Sequence, residues 1–253
     1  MVRGIDTFRS RFASFSDQFV IIGGTACDLL FFDAGIPFRS TKDIDIVLCV
    51  EALSGDFLRA WWSFIREGGY EMQIALQGKP RYYRFVKPRQ VNFPVMLELF
   101  SRHPGDLMPV EGSRITPIPT EEDVSSLSAI LLDADYYEWI RSGVQIVSSL
   151  PILRTEHLIA LKMHAWLDLH AKRLAGNKID SSDIMKHRND VFRLMQLADP
   201  EYPMNVPVKI RLDVQKFLNE QTDTFDLKSI GVRRGTAEEF LTRIHTLYGL
   251  HRV

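Results

Sequence analysis

Asp43 and Asp45 stand two residues apart in the run Asp43-Ile44-Asp45-Ile46-Val47-Leu48. In a strand, residues i and i+2 point to the same face. The two carboxylates would share one side, while Ile44, Ile46 and Leu48 fill the other. Adjacent carboxylates repel unless something positive lies between them, and a divalent cation held by hard oxygen ligands is the usual solution. A third carboxylate, Glu98, interrupts the apolar run Val95-Met96-Leu97-Glu98-Leu99-Phe100. Buried and unpaired, it would be costly or would shift its pKa. Glu98 therefore either faces solvent on an edge strand or joins Asp43 and Asp45 around metal. Three carboxylates on neighbouring strands can hold two divalent ions, Mg2+ or Mn2+, as in phosphoryl and nucleotidyl transfer. One ion orients a triphosphate and the other lowers the pKa of the attacking hydroxyl.

Upstream, the apolar run Phe19 to Ile22 ends in Gly23-Gly24-Thr25. The Walker pattern GxxxxGK[ST] is absent. A glycine pair between a strand and a helix still allows close backbone approach, and the N–H groups at a helix start favour phosphate oxygens. The Thr25 hydroxyl could add one hydrogen bond to that phosphate. Lys162 lies on an otherwise apolar helix face, Ala160-Leu161-Lys162-Met163-His164-Ala165-Trp166. It either snorkels to solvent or supplies a cation for the triphosphate. Lys186 and Asp190 are four apart and share a helix face, as a surface ion pair would. His164, His170 and His187 have no metal-ligand spacing. Asp133 and Asp135 repeat the Asp-x-Asp spacing, but no glycine turn precedes them, so they read as turn or cap residues. Lys79, Arg81, Arg84, Lys87, Arg89, Arg102 and Arg114 form a basic stretch interleaved with Tyr82, Tyr83 and Phe85. It reads equally as an RNA- or nucleotide-facing surface and as a solvated hairpin face.

The elements that must position these residues follow from periodicity. A helix is expected to about Asp17, a strand over 19–22, a helix over 25–33 and a strand over 44–50. An amphipathic helix over 54–67 would bury Phe57, Trp61, Phe64 and Ile65. Strand-like runs follow within 71–100, at 128–132 and at 144–147. Pro151 marks a change: beyond it the pattern is helical, with helices over 155–174, 181–198, 208–219 and 236–250 and with Thr155 and Ser181 or Ser182 as caps. The expected fold is α+β over 1–150, followed by an all-helical domain over 151–253. The 253 residues are 45% hydrophobic and 25% charged, with a formal net charge of −1. That balance excludes a nucleic-acid binder working by bulk positive charge. No run has membrane length and no signal peptide opens the chain, so a cytoplasmic protein without a membrane partner is expected. Cys27 and Cys49 both sit in apolar segments, as reduced thiols rather than a disulfide.

Together, Gly23-Gly24-Thr25-Ala26, then Arg39-x-Thr41-x-Asp43-Ile44-Asp45, then Lys162 and Lys186-x-x-x-Asp190 resemble the AbiEii/AbiGii toxin family of the DNA polymerase β-like nucleotidyltransferase superfamily. The resemblance spans about residues 19–197. It implies a nucleotidyltransferase-type mixed sheet flanked by helices, with a helical domain closing the cleft. Asp43 and Asp45 match the family's metal-binding pair, Thr25 the hydroxyl residue of the glycine turn, Lys162 the phosphate-binding lysine and Asp190 the late catalytic aspartate. Many relatives read Lys-Asp-x-x-Asp where this chain has Lys186-His187-Arg188-Asn189-Asp190. The motif does not fix Glu98. The family implies a toxin of a toxin–antitoxin or phage-defence pair, with an antitoxin partner, NTP as substrate and an RNA acceptor such as the tRNA 3′ end. Transfer to a small molecule or protein, or a non-catalytic nucleotide- or partner-binding homologue, are the alternatives.

Overall fold

The apolar runs of the first half become strands of one mixed sheet. The computed structural model describes residues 2–49, 51–74, 82–101, 115–117, 133–221 and 226–250. Strands β1 (Phe19–Ile22), β2 (Asp43–Leu48), β3 (Glu71–Ile74), β4 (Tyr82–Val86), β5 (Met96–Phe100), β6 (Ile115–Pro117), β7 (Val144–Val147) and β8 (Leu150–Leu153) follow in chain order. Among the described residues they lie in the order β6-β3-β4-β5-β2-β1-β8-β7. β2 runs parallel to β5 and antiparallel to β1, and β4 pairs antiparallel with β5. The carboxylate-bearing strands are thus neighbours at the centre of the sheet.

Two helices cover part of this sheet with aromatic side chains. α1 (Ile5–Phe12) contributes Phe8 and Phe12. α3 (Gly55–Gly68), capped by the Ser54 side chain accepting from the Phe57 amide, contributes Phe57, Trp61, Phe64 and Ile65, all buried as its periodicity predicts. The Phe12 ring lies 5.5 Å from Trp61 and 5.3 Å from Phe64, centroid to centroid, within the range of favourable tilted and edge-on aromatic packing. Between β1 and β2 lies α2 (Gly23–Asp33). It begins two residues before the expected Thr25, so both glycines belong to its first turn.

The sequence reading missed two elements. Asp133 does cap, accepting from the amides of Asp135 and Tyr136, but it opens a full helix, α4 (Ala134–Ser142). The segment around Pro151 is a strand rather than the start of the helical region. Proline removes a ladder donor and usually argues against a central strand. Here Leu150, Ile152 and Leu153 are fully buried between β1 and β7, and that burial outweighs one lost donor. The expected strand at 128–132 lies outside the described residues.

The polypeptide divides into two compact units, Met1–Leu153 and Arg154–Val253. The second is helical among its described residues: α5 (Thr155–Leu174), α6 (Ser181–Leu194), α7 (Val208–Asn219) and α8 (Ala237–Leu247), with a short 3-10 turn at Leu227–Ile230. Two expected caps are displaced by one position. Thr155 is already the first helical residue, and Asp180, not Ser181 or Ser182, accepts from the Ser182 amide. No helix among the described residues is long and apolar enough to cross a membrane.

Candidate functional site

The site starts where β1 hands over to α2. Gly23 has φ 68°, the left-handed region that side chains disfavour. A Cβ there would also lie 1.8 Å from the Asp45 Oδ2. The glycine thus serves both the turn and the close approach of a carboxylate. A Cβ on Gly24 would lie 2.5 Å from the Thr41 Oγ1 and 3.8 Å from an Arg39 guanidinium nitrogen, so the loop before β2 folds back over the same turn. The Asp45 carboxylate therefore rests against the first turn of α2, where backbone N–H groups and the helix dipole favour negative charge.

Thr25 has a partner within the fold. It is fully buried, and its hydroxyl donates to the backbone carbonyl of Asp43. Its single proton is spent there. What it does is pin α2 to the strand that carries the aspartates.

On the sheet, register brings three charged residues into one row. Arg84 on β4 lies opposite Glu98 on β5, and Glu98 lies opposite Asp45 on β2. Laterally paired residues project from the same face, with Cβ atoms about 5 Å apart. Asp43, two residues before Asp45, shares that face, is opposite Met96 and is partly exposed. Glu98 is not solvent-facing on an edge, since β5 lies between β4 and β2. It is buried, and its Oε1 accepts a hydrogen bond from the Arg84 Nε at 2.8 Å. Among the described residues no group of three or more His, Cys, Asp or Glu side chains is arranged to hold a metal ion. The Arg84 guanidinium meets Glu98 from the β4 side, opposite Asp45 on β2. The pair Asp43 and Asp45 does fit a divalent cation: hard anionic oxygens from one strand face, beside a backbone that Gly23 keeps clear of side chain.

Sequence reasoning missed Arg84 as the partner of Glu98, although a signal existed. Each is a lone charge between two buried apolar residues, Tyr83 and Phe85 in one case and Leu97 and Leu99 in the other. The described part of the basic stretch has partners within the fold. Arg84 is turned to Glu98, Lys87 pairs with Glu71 on an exposed hairpin, and Lys79, Arg81, Arg102 and Arg114 lie outside the described residues.

In the helical unit, Lys162 does not snorkel. It is 5% exposed, and its Nζ lies 3.1 Å from the Asp190 Oδ2. Asp190 is fully buried, and its Oδ1 accepts from Arg193 at 3.1 Å. Arg193 in turn donates through its Nε to the Ile230 carbonyl. Asp190 thus forms no surface pair with Lys186, which is exposed; it is the centre of an internal cluster across α5 and α6. His164 and His170 on α5 meet Asp213 on α7 and Glu220 at its C-terminal cap. His157 is buried, and desolvation with the nearby Arg154 pushes its pKa down to about 4.

Both cysteines are free thiols. Burial pushes Cys49 up to about 11, so it stays protonated and is a poor nucleophile.

Two solved structures are similar at low identity. An antigenic nucleotidyltransferase-like protein from Paracoccidioides brasiliensis aligns at 15% identity over 94% of this chain and 96% of its own, with a TM-score of 0.44. JHP933 from Helicobacter pylori aligns at 14% identity over 97% of this chain and 90% of its own, with a TM-score of 0.34. No curated protein matches the chain. The profile of the nucleotidyl transferase AbiEii toxins, of type IV toxin–antitoxin systems, matches residues 8–239. The chain belongs to the AbiEii nucleotidyltransferase toxin family.

Proposed function

We propose that this chain moves a nucleoside monophosphate from an NTP onto an RNA hydroxyl, the tRNA 3′ end, and releases pyrophosphate. The observation that carries the reading is the Asp45 carboxylate seated against the Gly23 turn, with Asp43 on the same strand face. Asp43 and Asp45 would hold Mg2+ or Mn2+. Such an ion supplies charge neutralisation for the triphosphate and a lowered pKa for the attacking hydroxyl. The Gly23-Gly24 turn leaves room for phosphate oxygens beside backbone N–H groups. Thr25 keeps Asp43 in register with that turn. Lys162 matches the family's phosphate-binding lysine, and Asp190 holds its ammonium in place. The acceptor oxygen bonds to the α-phosphorus in line as the bond to the β-phosphate oxygen breaks, and the hydroxyl proton leaves to solvent. The acceptor, an antitoxin partner and a cytoplasmic site of action are part of this proposal, suggested by the family likeness rather than by the geometry.

The test is transfer of label from each α-labelled NTP, with Mg2+ or Mn2+, into total RNA, protein and small acceptors in parallel. Label is expected in tRNA. Label found only in protein or in a small acceptor overturns the RNA reading. If no NTP gives either transfer or a thermal shift, the nucleotide reading falls.

A further inference from the structure

Three cations of the helical unit, Lys228, Arg233 and Arg234, belong to neither the aspartate pair nor the Asp190 cluster. Resting on the RNA-acceptor reading, we propose that they bind the sugar–phosphate backbone of the acceptor RNA.

Their loop runs from the 3-10 turn Leu227–Ile230 to the start of α8. Residues 227–235 carry these three cations and no acid. All three are exposed, while Leu227 and Val232 among them are buried and anchor the loop. The Val232 amide donates to the Leu227 carbonyl at 3.0 Å and closes the turn. At the far end the Thr236 hydroxyl accepts from the Glu239 amide, and the Glu239 carboxylate accepts from the Thr236 amide. Asp226 binds the Lys228 amide at 2.9 Å through one carboxylate oxygen. These flanking carboxylates fix backbone, and none of the three cations makes an ion pair with a described residue.

A phosphate chain can therefore reach them without an ion pair having to break, and each phosphate neutralised releases counterions. The two guanidiniums are forks matched to phosphate oxygens. Three exposed cations along one loop form a strip rather than an enclosed pocket, which fits a chain of phosphates better than one small anion. The loop is also tied to the lysine that matches the family's phosphate-binding residue. The Ile230 carbonyl accepts from the Arg193 Nε at 3.1 Å, the Arg193 Nη1 donates to the Asp190 Oδ1 at 3.1 Å, and the Asp190 Oδ2 lies 3.1 Å from the Lys162 Nζ. Three contacts thus hold the strip and Lys162 in one frame.

Binding of the full chain to purified tRNA without NTP, followed by fluorescence anisotropy across a salt series, tests this. Wild type is expected to bind, with affinity falling as salt rises. Arg233→Gln/Arg234→Gln should weaken binding at least tenfold and lower the slope of log affinity against log salt by about 1.5 to 2. Lys228→Gln, measured beside it, should act in the same direction by a smaller amount. Arg233→Lys/Arg234→Lys keeps the charge and should keep most of the affinity. Lys209→Gln/Lys216→Gln removes the same charge from α7 and should stay within threefold of wild type. A glutamine pair that binds like wild type, or a loss matched by the α7 pair, overturns the assignment of the loop. Label transfer into tRNA by wild type would then leave the RNA reading standing. A wild type that binds no tRNA overturns this inference, whether or not it binds phosphatidylserine vesicles; if it also labels no RNA, the RNA reading falls with it.

Discussion

The two charged centres of this chain are built on opposite logic. In the sheet unit, carboxylates share one strand face, Asp43 is partly exposed, and one arginine accompanies them from a neighbouring strand. In the helical unit a single carboxylate is fully enclosed, and Lys162 and Arg193 share its two oxygens. A strand face presents side chains in a row at the surface of a layer, where a ligand can reach them. Facing helix turns enclose side chains between two cylinders. The first arrangement suits receiving a cation; the second suits holding one still. Changes in the sheet centre should therefore act on chemistry first, and changes in the helical centre on folding first.

The largest effect expected is on the chemical side. Asp43→Ala should lower NTP-dependent pyrophosphate release by about 10³-fold or more, the scale of losing a metal or its charge stabilisation. Growth arrest on expression should disappear, while the melting temperature stays close to wild type. A stable Asp43→Ala protein with full activity would sink the mechanism. The helical centre should give the reverse pattern. Asp190→Ala leaves buried Lys162 and half-buried Arg193 without their carboxylate and should cost about 3–5 kcal/mol in urea unfolding. If the cluster behaves as buried ion pairs do, replacing Lys162 by Met and Asp190 by Leu together should recover part of that stability without restoring activity. An Asp190→Ala protein as stable as wild type would erase the contrast.

How much of each centre could be read beforehand differs for a physical reason. Asp43 and Asp45 were legible because their spacing is local, and a strand of period two fixes their common face. The aromatic face of α3 was legible in the same way, from helical spacing. The partners were not. Arg84 meets Glu98 only through the register of β4 on β5, and Lys162 meets Asp190 only through the packing of α5 on α6. Neither is written in local spacing. β8 was missed because Pro151 argues locally against a strand, and only its burial between two neighbours overrides that. The Thr25 hydroxyl looks available at a glycine turn, and only the fold places the carbonyl of Asp43 opposite it.

A smaller effect tests the enclosure of the helical unit through pH. His157 has its folded pKa pushed down to about 4, by desolvation first and Arg154 second. An unfolded histidine takes up its proton near pH 6.5, so between about 6.5 and 4 the unfolded state binds more protons and stability falls as pH falls. Above 6.5 both forms are neutral and the contribution is complete. Urea unfolding at pH 7 and pH 5 should differ by about 2 kcal/mol from this residue, and a His157→Phe variant should lack that part of the difference. A histidine that titrates near 6.5 by NMR in the folded protein contradicts the enclosure. Of comparable or smaller size is Gly23→Ala on the sheet side. The left-handed φ costs roughly 1 kcal/mol for alanine, and the methyl must also push the Asp45 carboxylate away. Its signature should be activity lost out of proportion to stability.

Thr25 gives the smallest effect and the sharpest test of the division between holding and reacting. Thr25→Val keeps the shape and removes the hydrogen bond to the Asp43 carbonyl. Leaving that carbonyl short of a donor should cost about 1 kcal/mol. If Thr25 only pins the strand, kcat should fall a few-fold as Asp43 drifts, KM for the NTP should hold, and Thr25→Ser should restore most of the loss. If the hydroxyl instead touched a phosphate, KM would rise with Thr25→Val while unfolding stability stayed at wild type. The two outcomes move different parameters, so steady-state kinetics beside a urea curve separates them. A rise in KM alone would make Thr25 part of the reacting centre and blur the contrast, because a residue buried like Asp190 would then act like Asp43.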